Sequence, residues 1–274
     1  MKKITRVFAL LAAGALALSG CSSNNSSDGD ETKIVVGASP VPHKGILEYI
    51  QKNLAKEAGI TIEIKEYQDY VQPNVALSNK EIDANFFQHI PYFDEEVKTK
   101  NYTFEHGEGV HLEPYGIYTQ KGYADLNALP EGATVGITND PSNQGRALAL
   151  LEDAGILTVK KDVESPTIHD LESNPKNLKF TEAEAPAVPQ ILPDVDIAII
   201  NGNYALQNNL VPSKDAIYTE KTTNNPYVNI LAWNKEADAK KIEAVKKLEE
   251  LLHSDKVKKY IEETYPNGEV IPAS

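Results

Sequence analysis

The alternation of apolar and polar positions divides the chain into two successive series of predicted strands and helices. The first series begins with KIVVG at 33–37, a short apolar run rich in β-branched residues, which is typical of a buried strand. Strands are predicted at 33–37, 60–64 and 82–87, and helices at 46–54, around Leu77 and ending near Lys100. This β-α-β-α-β order favours a parallel sheet flanked by helices.

A second series of the same kind starts near residue 133. Residues 134–138 predict a strand, and Asp140-Pro141 then supplies a helix N-cap with proline at the first helical position. Further strands are predicted at 178–180, 195–200, 215–219 and 228–233, and a helix using residues 242–252 closes the chain.

Two α/β units of similar size, one of which holds both ends of the folded part, predict two lobes joined by paired crossovers. We expect lobe I to comprise residues 33–118 and 226–274, and lobe II residues 119–225. Open α/β sheets bind ligands at the carboxyl ends of their strands. The pattern therefore predicts a periplasmic-binding-protein-like fold of type II with a ligand cleft between the lobes, which is typical of solute-binding proteins.

The N-terminus carries the pattern of an export signal. A basic head is followed by an apolar run at 7–18 and by Leu18-Ser19-Gly20-Cys21, which indicates a lipobox with cleavage before Cys21 and a lipid on that cysteine. The alternative is a membrane-spanning helix, but such a helix needs about 20 apolar residues. Residues 1–20 are thus predicted to be a lipoprotein signal peptide. Residues 21–32, which are almost entirely polar, are predicted to be a flexible tether.

Composition narrows the function further. Removal of residues 1–20 takes away three basic residues and no acidic one, so the formal net charge falls from −13 to −16. Such an acidic chain without a basic stripe repels phosphate backbones, so no nucleic-acid partner is expected. Cys21 is the only cysteine, so after lipidation no thiol remains for a disulfide, a nucleophile or a zinc site. The expected location is the extracytoplasmic face of the cell membrane.

Arg146 is the most informative residue of the mature chain, because it is the only arginine left after Arg6 is removed. A guanidinium can hold a carboxylate through two parallel hydrogen bonds. Arg146 also lies in the second turn of the helix capped by Asp140, near the positive end of the helix dipole. The alternative is a structural salt bridge with one of the 40 acidic residues.

Two further groups of residues fall at predicted strand ends. The segment 85–92 (NFFQHIPY) places aromatic residues where they can form the wall of an apolar pocket, although either Phe86 or Phe87 is expected in the core because neighbouring strand residues point opposite ways. Asn201 and Asn229 can donate to a carboxylate or accept from an ammonium group. Asparagine is also common in plain turns.

No catalytic or phosphate-binding motif is present. The best metal candidate is the segment HGEGVH, with His106, Glu108 and His111, but its glycines favour a turn between strands. We therefore expect no cofactor, no metal and no enzymatic activity.

The chain resembles the methionine-binding lipoproteins of bacterial methionine ABC importers (the MetQ family) from Lys33 to about Pro272. The resemblance rests on ordered blocks along the chain. They are Asp69-Tyr70, Pro73-Asn74, Ala76-Leu77, Asp83-Ala84-Asn85, Phe87-Gln88-His89, Pro91-Tyr92, Asn139-Asp140-Pro141, Asn143, Gly145-Arg146, the segment 174–178, Glu184-Ala185, Ile200-Asn201, Tyr204-Ala205 and the segment 226–229.

The resemblance implies a set of ligand-binding residues. By position, the family's side-chain pocket falls on Tyr70, Phe87, His89 and Tyr92, and its contacts with the ligand backbone fall on Arg146, Asn201 and Asn229. Ile90 departs from the family, since some members carry lysine between the histidine and the proline; this position lies beside the predicted pocket.

The implied function is capture of methionine, in the L or D form, or of a closely related small ligand, and its delivery to the membrane permease and ATPase subunits of an ABC importer. Within the binding class, the alternative ligands are a methionine-containing dipeptide, which some relatives bind, or another apolar amino acid. Alternatives from other classes are an extracytoplasmic enzyme that uses His89 as a base and a structural surface or adhesion protein.

Overall fold

The computed structural model describes residues 31–273. The predicted signal peptide, the lipidation site Cys21 and most of the predicted tether lie outside these residues. Within the described range, no helix has the length and apolar character needed to cross a bilayer.

Fourteen strands and nine α-helices make up the described part of the chain. The strands are β1 (Thr32–Ala38), β2 (Ile60–Glu66), β3 (Ala84–His89), β4 (Phe104–His106), β5 (His111–Leu112), β6 (Gly116–Tyr118), β7 (Thr134–Thr138), β8 (Thr158–Val159), β9 (Leu171–Ser173), β10 (Lys179–Ala183), β11 (Ile197–Ile200), β12 (Ala216–Thr219), β13 (Val228–Asn234) and β14 (Ile271–Pro272). The helices are α1 (Gly45–Asn53), α2 (Gln72–Ser78), α3 (Ile90–Lys100), α4 (Pro141–Asp153), α5 (Val188–Ile191), α6 (Gly202–Gln207), α7 (Pro212–Asp215), α8 (Ala239–Leu252) and α9 (Asp255–Thr264).

Two large sheets organise most of these elements, as the two-lobe prediction required, and β8 and β9 form a separate two-stranded sheet. The first has the strand order β14-β5-β13-β3-β1-β2, with β4 also paired to β13. Its strands β1, β2 and β3 are parallel, whereas β13 runs antiparallel to β3, β4 and β5. The sheet is therefore mixed rather than wholly parallel, because the chain returns from the second unit to complete it.

The second sheet has the order β10-β7-β11-β6-β12. Here β6 pairs with β11 and β12, so Gly116–Tyr118 belongs to the second unit although the sequence assigned residues up to 118 to lobe I. The difference arises because β6 is only three residues long, too short to show a periodic pattern. The chain crosses between the units twice, at residues 113–115 and 220–227.

Each unit has its own apolar core. In the first, buried side chains of β1 and α1 pack with Trp233 of β13 and with α8 and α9. In the second, side chains of β7, α4 and β11 form a separate cluster. Since each core is formed within one unit, the space between the units is available for a ligand.

Most of the predicted elements are confirmed with small shifts at their ends. Asp140 caps α4 as predicted, because its side chain accepts a hydrogen bond from the Asn143 backbone and Pro141 opens the helix. The chain does not close with the helix at 242–252, since α9 and β14 follow it. The helix α9 is short and mostly polar, with only two buried residues, Val257 and Ile261, on its inner face.

Candidate functional site

A cavity between the two units comprises about 330 Å³ of space between protein atoms, part of which is open to solvent. Its lining comes from strand ends and helix starts of both units, together with the first crossover. All seven residues that the sequence assigned to a ligand site line this cavity, namely Tyr70, Phe87, His89, Tyr92, Arg146, Asn201 and Asn229. The structure therefore brings together every candidate of that set.

One end of the cavity is aromatic. The ring centroids of Tyr70, Phe87 and Tyr92 are 5.9–6.1 Å apart in all three pairings. Phe86 points to the other face of β3 and is fully buried in the core of the first unit. The expected division between the two phenylalanines is thus confirmed, with Phe87 on the cavity side.

The polar end is organised around Asn143, which the sequence analysis did not select as a site residue. Its side-chain Oδ1 accepts hydrogen bonds from His89 Nε2 (3.0 Å), the Tyr115 hydroxyl (2.7 Å) and Asn201 Nδ2 (2.9 Å). Its Nδ2 donates to Asp140 Oδ1 at 2.9 Å. The N-cap that starts α4 therefore also fixes the orientation of this amide.

His89 is neutral and has a defined tautomer. Burial, together with nearby Arg146, lowers its pKa to about 3. Its Nδ1 accepts a hydrogen bond from the Tyr92 backbone at 3.1 Å, so the ring proton lies on Nε2 and is donated to Asn143. Both ring nitrogens of His89 thus make hydrogen bonds within the protein.

Arg146 is held on several sides. Its guanidinium carbon lies 3.9 Å from the ring centroid of Tyr115 and 4.3 Å from that of Tyr227. Its Nε and Nη2 pair with the Glu220 carboxylate, and Nη2 also donates to the backbone oxygen of Glu113 at 2.9 Å. The structural salt bridge considered from the sequence is present, with Glu220 as the partner.

The partners of Arg146 lie on the two interlobe crossovers. Glu113 and Tyr115 belong to the first crossover, and Glu220 and Tyr227 to the second. Glu220 also accepts a hydrogen bond from the Tyr115 backbone at 2.8 Å. A single side chain of the second unit therefore joins both connections between the units.

The two units contact each other around the cavity. The Tyr70 hydroxyl donates to Asn203 Oδ1 at 2.5 Å, and the Tyr204 hydroxyl donates to the Gln68 backbone oxygen at 3.0 Å. At the periphery, Lys98 lies 3.0 Å from Glu164. These contacts close the cleft over the cavity in this structure.

Beneath the polar end lies a buried group of His43, His111 and Glu113. His111 Nε2 is 2.8 Å from Glu113 Oε1, and His43 Nε2 is 3.3 Å from the same atom and 3.0 Å from Asn229 Oδ1. Burial lowers the pKa of His43 to about 4 and that of His111 to about 3. Burial raises the pKa of Glu113 above its usual value. The nearby His43 and Arg146 act in the opposite direction but do not cancel this effect.

This group is the one cluster of at least three potential metal-ligating side chains within residues 31–273, and its potential ligand atoms lie within 4.8 Å of one another. It shares only His111 with the metal candidate from the sequence. The segment HGEGVH forms the predicted turn, between β4 and β5, and His106 packs on Phe93 instead.

Five polar lining residues were not among the seven selected from the sequence: Gln88 and Asn203, which neighbour selected residues, and Asn143, Glu113 and Tyr115. Asn143 could have been predicted, because it lies three positions before Arg146 and therefore on the same face of the helix. Glu113 and Tyr115 could not, because their place in the cavity depends on where the chain crosses between sheets.

Comparison with known proteins supports the same fold and family. The sequence matches the family model of the NlpA lipoproteins over residues 34–274. It is 45% identical over 280 residues to the methionine-binding lipoprotein MetQ of Bacillus subtilis strain 168, with 100% of both chains covered. It is 38% identical over 260 residues to the D-methionine-binding lipoprotein MetQ of Escherichia coli K12, with 94% of this chain and 93% of the relative covered.

A solved structure of a methionine-bound protein is similar to most of this chain. A nutrient-binding protein from Burkholderia cenocepacia, bound to methionine, has a TM-score of 0.81 and 36% identity to this chain, and the match covers 88% of this chain and 100% of that one. The resemblance inferred from the sequence blocks and the predicted two-lobed α/β fold are both confirmed.

The three buried histidines predict a pH-dependent stability. The unfolded chain protonates histidine below about pH 6.5, whereas folded His43, His89 and His111 remain neutral until about pH 4 or 3. The unfolded state then binds more protons, so the free energy of unfolding should fall as the pH drops from about 6.5 to 4. Each histidine contributes at most about 1.4 kcal/mol per pH unit.

Urea unfolding at a series of pH values measures how the free energy of unfolding changes with pH. NMR of the histidine rings then shows which histidines cause the change. At pH 5, three of the six histidines should still give signals of neutral imidazole in the folded protein. In the urea-unfolded protein all six should titrate near pH 6.5. Titration of all six above pH 6 in the folded protein would contradict the described burial.

Proposed function

The chain belongs to the NlpA lipoprotein family, and we propose that it is an extracytoplasmic solute-binding protein that captures methionine between its two lobes. The observation that carries this proposal is the closed cavity, which is aromatic at one end and polar at the other. Such a site can enclose an amino acid with an apolar side chain and exclude water from both ends of it.

The aromatic end fits a thioether side chain. Tyr70, Phe87 and Tyr92 surround a space in which a sulfur atom gains dispersion contacts and a sulfur–aromatic interaction of about 0.3–1.5 kcal/mol. The Tyr92 hydroxyl is directed away, since it donates to the Tyr70 backbone oxygen at 3.1 Å. The ring faces therefore offer an apolar wall.

The polar end keeps unused hydrogen-bonding groups. Asn201 uses its Nδ2 on Asn143, and Asn229 uses its Oδ1 on His43. Among the described residues, no hydrogen bond is made by Asn201 Oδ1, Asn229 Nδ2 or Arg146 Nη1. One acceptor and two donors thus remain for an ammonium and a carboxylate group. This supports the assignment of Arg146, Asn201 and Asn229 to the ligand backbone.

The state of His89 favours binding over catalysis. A general base needs a lone pair that faces the substrate. The Nδ1 lone pair of His89 accepts from the Tyr92 backbone, and Nε2 carries the proton donated to Asn143. The alternative of an enzyme with His89 as base therefore has no support in the geometry, and the relatives are named as binding proteins.

We also propose the membrane context. Cys21 would carry a lipid that holds the protein at the outer face of the membrane. The permease and ATPase subunits of an ABC importer would receive the ligand. The two lobes in this scheme correspond to the two sheets, with lobe II starting at β6 rather than at residue 119.

Ligand selectivity tests the proposed function directly. Methionine should bind more tightly than norleucine by a modest factor, because norleucine matches its shape but lacks the sulfur–aromatic interaction. Glutamate and lysine should bind far more weakly, because an unpaired charge would be buried at the aromatic end. Calorimetric titration of the unliganded protein with L-methionine, D-methionine, norleucine, glutamate and lysine measures these differences.

A methionine-containing dipeptide belongs in the same series as the competing ligand. Equal affinity for methionine and glutamate would reduce the protein to a general amino-acid receptor. Tighter binding of the dipeptide than of methionine would replace the proposed ligand.

Substitution of Arg146 tests carboxylate capture. Arg146→Ala should weaken methionine binding by about 2–5 kcal/mol, because it leaves the ligand carboxylate buried without its partner. Arg146→Lys keeps the charge but loses the planar fork, so it should recover only part of this loss.

Thermal unfolding of the unliganded variants separates binding from the structural role of the ion pair with Glu220. Near-normal methionine affinity in Arg146→Ala, whatever its stability, would leave Arg146 with the structural role alone.

The proposed anchor predicts a change in location. Cys21→Ala should give an uncleaved or released protein, since a lipid would be the stable membrane attachment of the mature chain. Membrane fractionation with detection of the protein measures the outcome, and metabolic labelling with a fatty acid should mark the wild type only. Membrane retention of the variant without label, equal to that of the wild type, would count against the lipobox.

A further inference from the structure

Glu113 is a buried carboxylate in the cavity wall without a cationic partner. Its side chain is 6% exposed. Within residues 31–273, the only basic side chains at ion-pair distance from it are His43 and His111. Burial keeps both rings neutral at physiological pH, because it lowers their pKa values to about 4 and 3. His111 donates a hydrogen bond to Glu113, whereas the Nε2 proton of His43 is donated to Asn229 Oδ1, and neither neutral ring compensates the charge of Glu113.

The guanidinium of Arg146 does not neutralise it either. Arg146 pairs with the carboxylate of Glu220 and reaches Glu113 only at the backbone oxygen. The cavity region thus holds two carboxylates for one guanidinium. A buried charge without a partner is costly, and a site that retains one beside a ligand cavity is suited to a ligand that brings the opposite charge.

The surroundings hold Glu113 in this position. A Cβ atom at Gly202 would lie 2.6 Å from the Glu113 Cβ, so only glycine permits this close approach of α6. Burial raises the pKa of the Glu113 carboxyl group, and the hydrogen bond from the Asn203 backbone amide acts against this rise. The His43 and His111 rings hold it from the other side. Two histidine side chains and the backbone at residues 202–203 therefore surround this acidic residue, which lines the cavity.

We propose that Glu113 accepts the α-ammonium group of the bound ligand, so that the site selects free α-amino acids with an unsubstituted amino group. This inference rests on the proposed function. Its geometric basis is the hydrogen bond between Arg146 Nη2 and the Glu113 backbone oxygen (2.9 Å). This bond places the group for the ligand carboxylate next to the group for the ammonium, as the two groups of an α-amino acid require.

The proposal separates a free amino acid from a peptide. In a dipeptide that ends in methionine, the nitrogen next to the methionine Cα is an amide without charge, and it cannot compensate Glu113. The same holds for N-acetylmethionine and for the desamino analogue 4-(methylthio)butanoate. All three should bind much more weakly than methionine.

The variant Glu113→Gln keeps the shape of the side chain and removes its charge. Calorimetric titration of wild type and variant with methionine and with 4-(methylthio)butanoate gives a two-by-two comparison. Methionine affinity should fall about 30-fold or more in the variant, whereas affinity for the desamino analogue should change less than about 3-fold. Glu269→Gln is the matched control, because Glu269 is equally buried but does not line the cavity, and it should leave methionine affinity unchanged.

The unliganded stability of the variant is the second readout. Replacement of a buried unpaired charge by a neutral isostere should leave the melting temperature of the unliganded Glu113→Gln protein unchanged or raise it. A structural role of Glu113 would instead lower the melting temperature and weaken both ligands equally, and this result would overturn the proposal.

Unchanged methionine affinity in Glu113→Gln would overturn the ammonium contact but leave the proposed function standing. Failure of the wild type to bind methionine would contradict the proposed function itself. Elemental analysis of the purified protein completes the test. Stoichiometric zinc that is lost in Glu113→Gln would make the group of His43, His111 and Glu113 a metal site and would also overturn the proposal.

Discussion

The ion pair between Arg146 and Glu220 is the interaction on which the arrangement of the two lobes depends. Arg146 extends from α4 of the second unit and lies between Tyr115 and Tyr227, one on each crossover. A guanidinium can stack on aromatic faces and donate in its plane at the same time, so one side chain joins both connections. Lysine has no such planar fork, which explains why the sole arginine of residues 31–273 is found here.

The two crossovers that Arg146 joins also lie beside the cavity. Residues that connect the lobes, Glu113 and Tyr115 among them, also line the binding space. A ligand that contacts them would act directly on the segments that must rotate when the lobes separate. Two further hydrogen bonds, from Tyr70 to Asn203 and from Tyr204 to Gln68, join the lobes in this structure. The residues that would contact the ligand thus include residues of the first crossover.

The sequence predicted those parts of the molecule that local patterns determine. Alternation along β3 separated Phe86 from Phe87, and the Asp140-Pro141 pair located the start of α4 correctly. Six of the seven candidate residues came from strand ends and the first turns of a helix, where local sequence and position in the fold agree, whereas Tyr70 came only from the family resemblance.

Other parts depend on contacts between distant segments. Glu113 follows a strand of two residues and lines the cavity only because the chain changes sheets there. The Glu220 partner of Arg146 is 74 residues away in the chain, so no spacing rule could identify it among the 40 acidic residues. The first sheet likewise contains both parallel and antiparallel pairs because the chain returns from the second unit and adds β13 to it.

Identification of the ligand that leaves the cell with the protein tests the central claim most directly. The protein would be purified without added ligand and denatured, and the released small molecules would be identified by mass spectrometry and quantified per chain. The proposed capture of methionine between the lobes predicts free methionine as the main species, at up to one molecule per chain. A peptide, an N-substituted amino acid or an unrelated metabolite as the main species would contradict it.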